Sequence, residues 1–269
     1  MPELALSDIT LHFEVDGSGP PILMLAGMLS DSASWGALAP LLTDQFTLIR
    51  PDNRSTGRTT PWDAETSVAQ MARDALALMD ELGHAKFHVV GHSMGGLMAM
   101  ELFGLAPERI QAMSILASAP VRAPRTMAVF DALLAVRRAP EGAQLWLRAL
   151  YPWVFTPGFF SDPTNTETAL AAALAYPHAQ SADAMAHQLE ALRGFRPTVR
   201  PADLRCPTQV LHGAEDLLIP RAAAEDAFAQ IPNVTQTTLP NAGHSIHWDA
   251  SEAVAQHLRQ FHATAGDPR

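Results

Sequence analysis

Short runs dominated by apolar and β-branched residues recur along the chain, separated by longer stretches of mixed polarity. Each run is short enough for a strand, and the continuous apolar run Ile22–Ala26 is typical of a strand buried on both faces. The runs predicted to be strands are Ile22–Ala26, Phe46–Ile49, Lys86–Val90, Ile110–Leu116, Thr208–Leu211 and Val234–Leu239.

Between these runs, apolar residues recur at the spacing of an amphipathic helix. In Ser67–Leu82 the pattern includes Val68, Met71 and Ala75, and Gly83 supplies a stop signal. Helices are predicted at Ser34–Leu42, Ser67–Leu82, Leu97–Ala106, Arg221–Gln230 and Ser251–His262. Because strands and helices alternate, we expect right-handed crossovers and a mostly parallel α/β sheet flanked by helices.

The two ends of the chain depart from this alternation. Residues 3–15 carry apolar side chains at period two, which predicts an antiparallel strand pair ending in the turn Asp16–Gly19. The last residues, 264–269, are polar and small, and we expect them to be frayed.

Residues 120–205 interrupt the alternation with a helix-like, alanine-rich segment. We therefore divide the chain into a core, residues 1–119 and 206–269, and an insertion, residues 120–205. The insertion holds a concentration of aromatic side chains, which could line a substrate pocket or form the insertion's own core. These side chains are Trp146, Tyr151, Trp153, Phe155, Phe159 and Phe160.

Composition and charge exclude several classes of partner. The net charge is −10 and no basic cluster is present, which argues against nucleic acid and against an anionic membrane. The single cysteine, Cys206, allows no intrachain disulfide and no cysteine metal site, and it favours a reducing compartment. The first residues do not resemble a signal peptide, and no stretch has the ~20 apolar residues needed to span a bilayer. We expect a cytoplasmic protein.

The segment Gly91–Gly96 carries the strongest chemical signal. It contains the pattern Gly-x-Ser-x-Gly between a predicted strand and a predicted helix, the setting of a nucleophile elbow. The tight turn lifts the hydroxyl of Ser93 clear of the sheet, and Gly91 and Gly95 stand where larger side chains would collide. Ser93 is therefore the predicted nucleophile.

A serine nucleophile needs a base and an orienting carboxylate. Asp216 follows the strand that ends at Leu211, and we prefer it to Glu215, which we expect to face solvent. His244 follows the strand that ends at Leu239, and it can reach Ser93. The order Ser93, Asp216, His244 is the one expected for a nucleophile elbow of this kind.

Two other histidines compete with His244. His247 stands just before the last helix, and His92 adjoins the nucleophile but points the other way along the turn. We expect both to be structural.

An oxyanion hole requires two N–H donors near the nucleophile. The backbone of Met94, the residue after Ser93, is one predicted donor. The backbone of Met28, in the loop after Ala26, is the other, although Met28 could equally be apolar filling.

Together these residues resemble the α/β-hydrolase fold superfamily over nearly the whole chain. The matching segments are Ala26–Met28 with Trp35, Asp52–Arg58, the elbow, Gly213–Asp216 and Gly243–His244. The chain departs from the family's pattern in two loops, since Ala26–Gly27 replaces the usual His-Gly and Ser55 replaces a usual glycine. We expect both loops to border the pocket. The resemblance implies an eight-stranded sheet and identifies residues 120–205 as a helical cap over the active site.

The sequence predicts a cofactor-independent serine hydrolase of a small carboxylic ester or lactone, with no metal, acting as a monomer or homodimer. The 52–58 loop and the insertion look similar to those of polyketide methylesterases and enol-lactone hydrolases. A carbon–carbon bond hydrolase of ring-cleavage products is an alternative, but such relatives commonly carry tryptophan where Ser245 stands. A ligand receptor with slow turnover on the same fold is a further alternative.

Overall fold

A computed structural model describes residues 2–265, and its central feature is an eight-stranded sheet. The strands are β1 (Glu3–Ala5), β2 (Thr10–Gly17), β3 (Pro21–Leu25), β4 (Thr47–Pro51), β5 (Phe87–His92), β6 (Ile110–Leu116), β7 (Thr208–Gly213) and β8 (Thr235–Leu239). Their order across the sheet is β1-β2-β4-β3-β5-β6-β7-β8. Only β2 runs antiparallel to its neighbours, β1 and β4, so the prediction of a mostly parallel sheet is confirmed.

Helices flank this sheet on both faces. Within residues 2–265 they are α1 (Val68–Glu81), α2 (Met94–Leu105), α3 (Pro124–Arg138), α4 (Gly142–Val154), α5 (Pro157–Phe160), α6 (Pro163–Ala175), α7 (Ala182–Gly194), α8 (Arg221–Phe228), α9 (Ile246–Asp249) and α10 (Ser251–Ala265). Five of them, α3 to α7, lie between β6 and β7. None of the helices in this range combines the length and hydropathy that crossing a bilayer requires.

The signals read from the sequence account for several element ends. The side chain of Ser67 accepts a hydrogen bond from the N–H of Gln70 at the start of α1, and Gly83 adopts a φ of +72° beyond its end. The predicted strand Ile110–Leu116 has the bounds of β6. The predicted frayed tail lies outside the described residues from 266 onward, while Thr264 and Ala265 belong to α10.

One predicted helix, Ser34–Leu42, is wrong. The chain instead forms two short 3₁₀ turns, Ser32–Trp35 and Ala39–Leu41. Asp31 caps the first turn by accepting from the N–H of Ala33, and Pro40 lacks the N–H that a continuous helix would need. The apolar side chains at helical spacing, Trp35 and Leu38 among them, are nevertheless fully buried.

The N-terminal strand pair is antiparallel as predicted, but the turn at Asp16–Gly19 does not close it. Residues 6–9 join β1 to β2, whereas the turn leads from β2 into β3. Gly17 and Gly19 have φ values of +84° and +120°, a conformation in which other residues are strained.

The core lies on both faces of the sheet, because the parallel strands are covered on each side. Leu23 and Leu25 of β3 pack with α1 and α2 on one face, and Ile22 and Met24 pack with Trp35 and α10 residues on the other. This arrangement brings the carboxyl ends of β3, β5, β7 and β8 to one edge of the sheet, where ligands bind in open α/β folds.

Candidate active site

Ser93 lies in a sharp turn between β5 and α2. Its φ is +51° and its ψ is −119°, which is an unusual conformation for a residue with a side chain. A Cβ at Gly91 would lie 2.3 Å from the carbonyl oxygen of Gly95, and one at Gly95 would lie 1.9 Å from that of Leu25. Only glycine fits at these two positions, as the sequence predicts for an elbow.

The structure brings Ser93, His244 and Asp216 into one hydrogen-bonded line. His244 Nε2 lies 2.9 Å from Ser93 Oγ, and His244 Nδ1 lies 3.0 Å from Asp216 Oδ2. His244 follows β8 and Asp216 follows β7, so neighbouring strand ends supply the two side chains. Both are almost entirely buried.

The environment of Asp216 keeps its carboxylate ionised and correctly oriented. Burial by itself raises the pKa of Asp216, but His244 and the N–H groups of Leu218 and Ile219 outweigh it, so the pKa lies below its ordinary value. Those two N–H groups donate to Oδ1 at 2.8 and 3.0 Å, which leaves Oδ2 for His244. Because an ionised carboxylate only accepts, Nδ1 of neutral His244 carries the proton and Nε2 can accept from Ser93.

Neither of the other candidates forms these contacts. Glu215 is half-buried, and it is Asp216 that meets His244. The buried ring of His247 packs against Trp35 and His92, with ring centres 5.1 and 4.3 Å apart. Burial lowers the pKa of His247 well below its ordinary value, so the ring is neutral.

His92 is packed as predicted, but it also makes a contact that the sequence did not indicate. Its Nε2–H donates to the backbone carbonyl of His244 at 2.8 Å. Burial, reinforced by His244, lowers the pKa of His92 to about 3. His92 is therefore a neutral donor that fixes the backbone of His244 beside Ser93.

A second unpredicted contact holds the same loop from the other side. Asp249 accepts from the N–H of Gly243 at 2.9 Å, directly before His244. Burial raises the pKa of Asp249 to about 6. No sequence signal indicated this role, because aspartates near a helix start are common for other reasons.

The loop with the predicted oxyanion donor Met28 passes directly beside Ser93. A Cβ at Gly27 would lie 3.0 Å from Ser93 Cβ, which shows how closely the backbones approach. Asn53 Nδ2 donates to the carbonyl of Ala26 at 3.0 Å and holds the start of the loop. Met28 and Met94 are both buried, and Met94 begins α2, where N–H groups lack helical partners. Their roles as donors stay predictions.

A cavity of about 670 Å³ opens onto Ser93 and His244. Its lining is mostly apolar and comes from the sheet edge, the start of α2, α3, α4 and the end of α7; Leu97, Phe130 and Leu150 are examples. This volume is typical of a site for a small organic molecule.

The aromatic residues of the insertion divide between the two predicted roles. Trp146, Tyr151 and Phe155 line the cavity. Tyr151 and Phe155 also pack against Phe159, and the rings of Phe155 and Phe159 stack 4.3 Å apart. The same cluster therefore forms a small core and one wall of the cavity.

The charges around the cavity are all of one sign. Arg122, Arg193 and Arg196 line it, and none of the lining residues within 2–265 is Asp or Glu. Arg193 pairs with Asp131 and Glu190, whereas no carboxylate among the described residues pairs with Arg122 or Arg196. In a chain of net charge −10, this rim favours neutral or anionic ligands over cationic ones.

The loop Asp52–Arg58 does not border the cavity, which corrects the expectation from the sequence. Its residues are absent from the lining, and buried Arg54 forms ion pairs with Asp8 and Asp74 instead. Asp52 accepts from the N–H groups of Ser32 and Arg58. The loop Asp52–Arg58 therefore has a structural role outside the cavity, and of the two loops only Ala26–Met28 reaches the cavity.

The arrangement can activate a hydroxyl without help from another group, since serine, base and carboxylate are all present. Within residues 2–265, no group of three or more His, Cys, Asp or Glu side chains is placed to hold a metal ion. Cys206 is buried, and burial raises the pKa of its thiol to about 11, which makes it unreactive.

Comparison with known families agrees with the fold. A family model described as the alpha/beta hydrolase fold matches residues 20–251. The chain therefore belongs to the alpha/beta hydrolase fold family.

Several proteins similar to this chain have the names of hydrolases. The chain is 29% identical over 231 residues to the "Putative carbamate hydrolase RutD" of Klebsiella pneumoniae (strain 342), covering 85% of this chain and 86% of the relative. It is similar to a thermophilic esterase from Thermogutta terrifontis, with TM-score 0.83, 25% identity and coverage of 99% and 100% of the two chains. The enol-lactonase from Burkholderia xenovorans LB400, at TM-score 0.84, 23% identity and coverage of 97% and 100%, shares the fold. Family and relatives support a hydrolase.

Proposed function

We propose that this chain is a cofactor-independent serine hydrolase of a small carboxylic ester or lactone, with an acyl-enzyme formed on Ser93. The observation that carries the proposal is the line from Asp216 through His244 to Ser93, with distances of 3.0 and 2.9 Å. These are hydrogen-bond distances for a base that takes a proton from a nucleophile and for a carboxylate that orients it.

The reaction follows from these contacts. As Ser93 Oγ attacks the substrate carbonyl, its proton passes to His244 Nε2, and ionised Asp216 stabilises the imidazolium. The N–H groups of Met28 and Met94 stabilise the tetrahedral oxyanion. The intermediate collapses when the C–O bond to the alcohol breaks, and His244 returns the proton to the leaving oxygen. Water then repeats the sequence on the acyl-enzyme, with His244 as base, and releases the acid.

The division of the chain is part of this proposal. Residues 1–119 and 206–269 form the catalytic core, and residues 120–205 form a cap that covers Ser93. Support comes from the cavity, because α3 and α4 supply one wall of it and the sheet edge with His244 supplies the other. The apolar lining suits the hydrocarbon parts of an ester or lactone and excludes bulk water from the acyl-enzyme.

Carbamate hydrolysis is a second candidate, and the names of the RutD relatives favour it. A carbamate carbonyl would meet Ser93 in the same geometry, with a carbamoyl-enzyme in place of the acyl-enzyme. The esterase from Thermogutta terrifontis, at 25% identity, supports the ester instead.

A substrate panel with matched serine variants tests the proposal. We expect turnover of p-nitrophenyl esters or lactones by the wild type, and a fall in kcat of about 10⁶-fold in Ser93→Ala, comparable to loss of a triad serine. Ser114→Ala is the control, because Ser114 is buried but neither lines the cavity nor contacts His244. We expect its kcat to stay close to that of the wild type.

The panel also separates the alternatives. Carbamates turned over faster than every ester would replace the ester assignment, and cleavage of a dienoate diketone alone would indicate a carbon–carbon bond hydrolase. Ester hydrolysis that survives Ser93→Ala would contradict the proposal. Ligand-induced stabilisation without turnover would indicate a receptor.

A further inference from the structure

The loop beside Ser93 contains a turn whose conformation does not suit its sequence. The N–H of Ser30 donates to the carbonyl of Gly27, which makes Met28 and Leu29 the central residues of a four-residue turn. Leu29 has a φ of +69°. Met28 has no positive φ, and a positive φ at the third position alone is typical of a type II turn, which normally carries glycine or asparagine there. Leucine at this position is strained.

The strain at Leu29 would be relieved if the turn changed from type II to type I. Type I and type II turns differ in the ψ of the second residue and the φ of the third, which amounts to a flip of the peptide between them. In this turn that peptide joins Met28 to Leu29. The peptide on the other side of Met28 carries the N–H predicted to stabilise the oxyanion.

Gln188, on α7, holds the peptide between Met28 and Leu29 in its type II orientation. Its Oε1 accepts from the N–H of Leu29 at 2.9 Å, across 159 positions of sequence, and its Nε2 donates to the carbonyl of Arg54 at 3.3 Å. The side chain of Gln188 is fully buried. Its neighbours Met185 and Leu189 are anchored in the hydrophobic core, so α7 presents the amide in a fixed position.

We propose that Gln188 is a positioning residue that fixes the Met28–Leu29 peptide, and thereby the oxyanion-stabilising N–H of Met28, from a helix inserted between β6 and β7. This role rests on the proposed function, since it requires an oxyanion at Ser93. It links the inserted helices to the reaction itself, in addition to their part in lining the cavity. The Asn53 contact with Ala26 holds one end of the loop and Gln188 holds the other.

Kinetics of Gln188→Met provide the main test, because methionine has similar length but its thioether is only a weak acceptor for the N–H of Leu29. We expect kcat for a p-nitrophenyl ester to fall by about 10- to 100-fold, up to the effect of losing one oxyanion donor, with KM changed less than about three-fold. Affinity for a trifluoromethyl ketone, which forms an oxyanion on Ser93, should fall in parallel. If Gln188→Met does not fold, Gln188→Ala should show the same falls in kcat and in affinity for the ketone.

A rescue separates positioning from packing. Glycine adopts positive φ without strain, so Leu29→Gly added to Gln188→Met should recover most of the lost kcat. His187→Ala is the matched control, because His187 adjoins Gln188 on α7 and contacts Ser55 Oγ at 3.0 Å, away from the turn. We expect its kcat to match the wild type. Hydrogen exchange at the Leu29 amide should be faster in Gln188→Met than in the wild type, and it should stay at the wild-type rate in His187→Ala.

The outcomes distinguish this role from the proposed function. If the wild type turns over no ester, lactone or carbamate, the proposed function and the role of Gln188 both fail. If the wild type is active but Gln188→Met matches His187→Ala in kcat and ketone affinity, only the role fails. A loss of kcat that Leu29→Gly does not rescue would assign Gln188 to packing and also overturn the role.

Discussion

Two serines of the central strands, Ser93 directly after β5 and Ser114 in β6, each lie within hydrogen-bond distance of a histidine, but only Ser93 has the surroundings predicted for a nucleophile. Ser93 Oγ lies 2.9 Å from His244 Nε2, and Ser114 Oγ lies 2.8 Å from His262 Nε2. The second pair joins β6 to α10 in the protein interior, where Gln209 also donates to Ser114 Oγ and the rings of His88 and His262 pack with their centres 4.7 Å apart. Distance alone therefore does not identify a catalytic pair.

Three differences separate the pairs. Ser93 occupies a strained turn, while Ser114 lies in the regular strand β6. His244 has the carboxylate of Asp216 on its far nitrogen, whereas the carboxylates of the described residues make no contact with His262. A cavity reaches Ser93, and Ser114 is fully buried. The internal pair therefore lacks the strained turn, the orienting carboxylate and the access from the cavity that Ser93 and His244 have.

The largest expected effect comes from making the same substitution in both pairs. We expect His244→Gln to lower kcat by about 10⁶-fold, comparable to removing a triad base, because Ser93 then has no proton acceptor. His262→Gln should leave kcat within about three-fold of the wild type, since that residue never meets substrate. Steady-state kinetics on the best ester of the panel measure both. Equal losses in the two variants would contradict the distinction between the pairs.

Removing the carboxylate gives the next largest effect. Asp216→Asn keeps the shape of the side chain but favours the wrong tautomer of His244, so we expect kcat to fall by about 10⁴-fold. Glu215→Gln is the control at the adjacent position, and its kcat should match the wild type. A small effect of Asp216→Asn would show that the line to Ser93 needs no carboxylate.

Four buried histidines in or beside the two pairs are neutral in the folded protein, which predicts acid destabilisation. Burial lowers the pKa of His88 to about 4 and of His92 to about 3, and it lowers those of His247 and His262 well below 6.5. Below pH 6.5 these histidines are protonated in the unfolded chain but stay neutral in the folded protein. The free energy of unfolding therefore falls as pH falls, by up to about 1.4 kcal/mol per pH unit for each group.

Asp249 and Asp31 act in the opposite direction, because burial raises the pKa of each carboxyl and favours proton uptake by the folded protein on acidification, but they are two groups against four. Tm should therefore fall from pH 7 to pH 5, and His262→Gln should flatten that dependence. A Tm that rises on acidification would show that these histidines do not dominate it.

The smallest expected effect concerns the arginines at the cavity. We expect the ratio of kcat/KM for p-nitrophenyl hemiglutarate to that for p-nitrophenyl pentanoate to fall by about three- to ten-fold in Arg122→Ala/Arg196→Ala, since exposed charges act weakly. Arg200→Ala is the control, because Arg200 is exposed nearby, pairs with Asp203 and does not line the cavity. An unchanged ratio would assign both arginines to the solvent-exposed surface.

The sequence predicted those features that local pattern determines. The strand β6, the helix α1 and the elbow at Ser93 follow from apolar periodicity, capping residues and glycine spacing, which act over a few neighbouring positions. The order of Ser93, Asp216 and His244 followed from the strand ends, because parallel strands bring distant loops to one edge.

What the sequence did not predict depends on contacts between distant segments. Asn53, His92 and Gln188 each hold a backbone group near the site, and such bonds leave no trace in periodicity or spacing. The supposed helix Ser34–Leu42 had the right apolar spacing, but Asp31 and Pro40 favoured short turns. The loop Asp52–Arg58 carries part of the family's sequence pattern, yet its Arg54 forms ion pairs with Asp8 and Asp74 and does not line the cavity.

Covalent labelling tests the central claim, that Ser93 is a nucleophile activated by His244, most directly. The wild type is treated with a fluorophosphonate, and the modified residue is mapped by mass spectrometry, in parallel with His244→Gln and His262→Gln. The account predicts one label per chain on Ser93, at similar rates in the wild type and His262→Gln, and a rate at least about 100-fold lower in His244→Gln. Labelling of another serine, or an equal rate in His244→Gln, would contradict it.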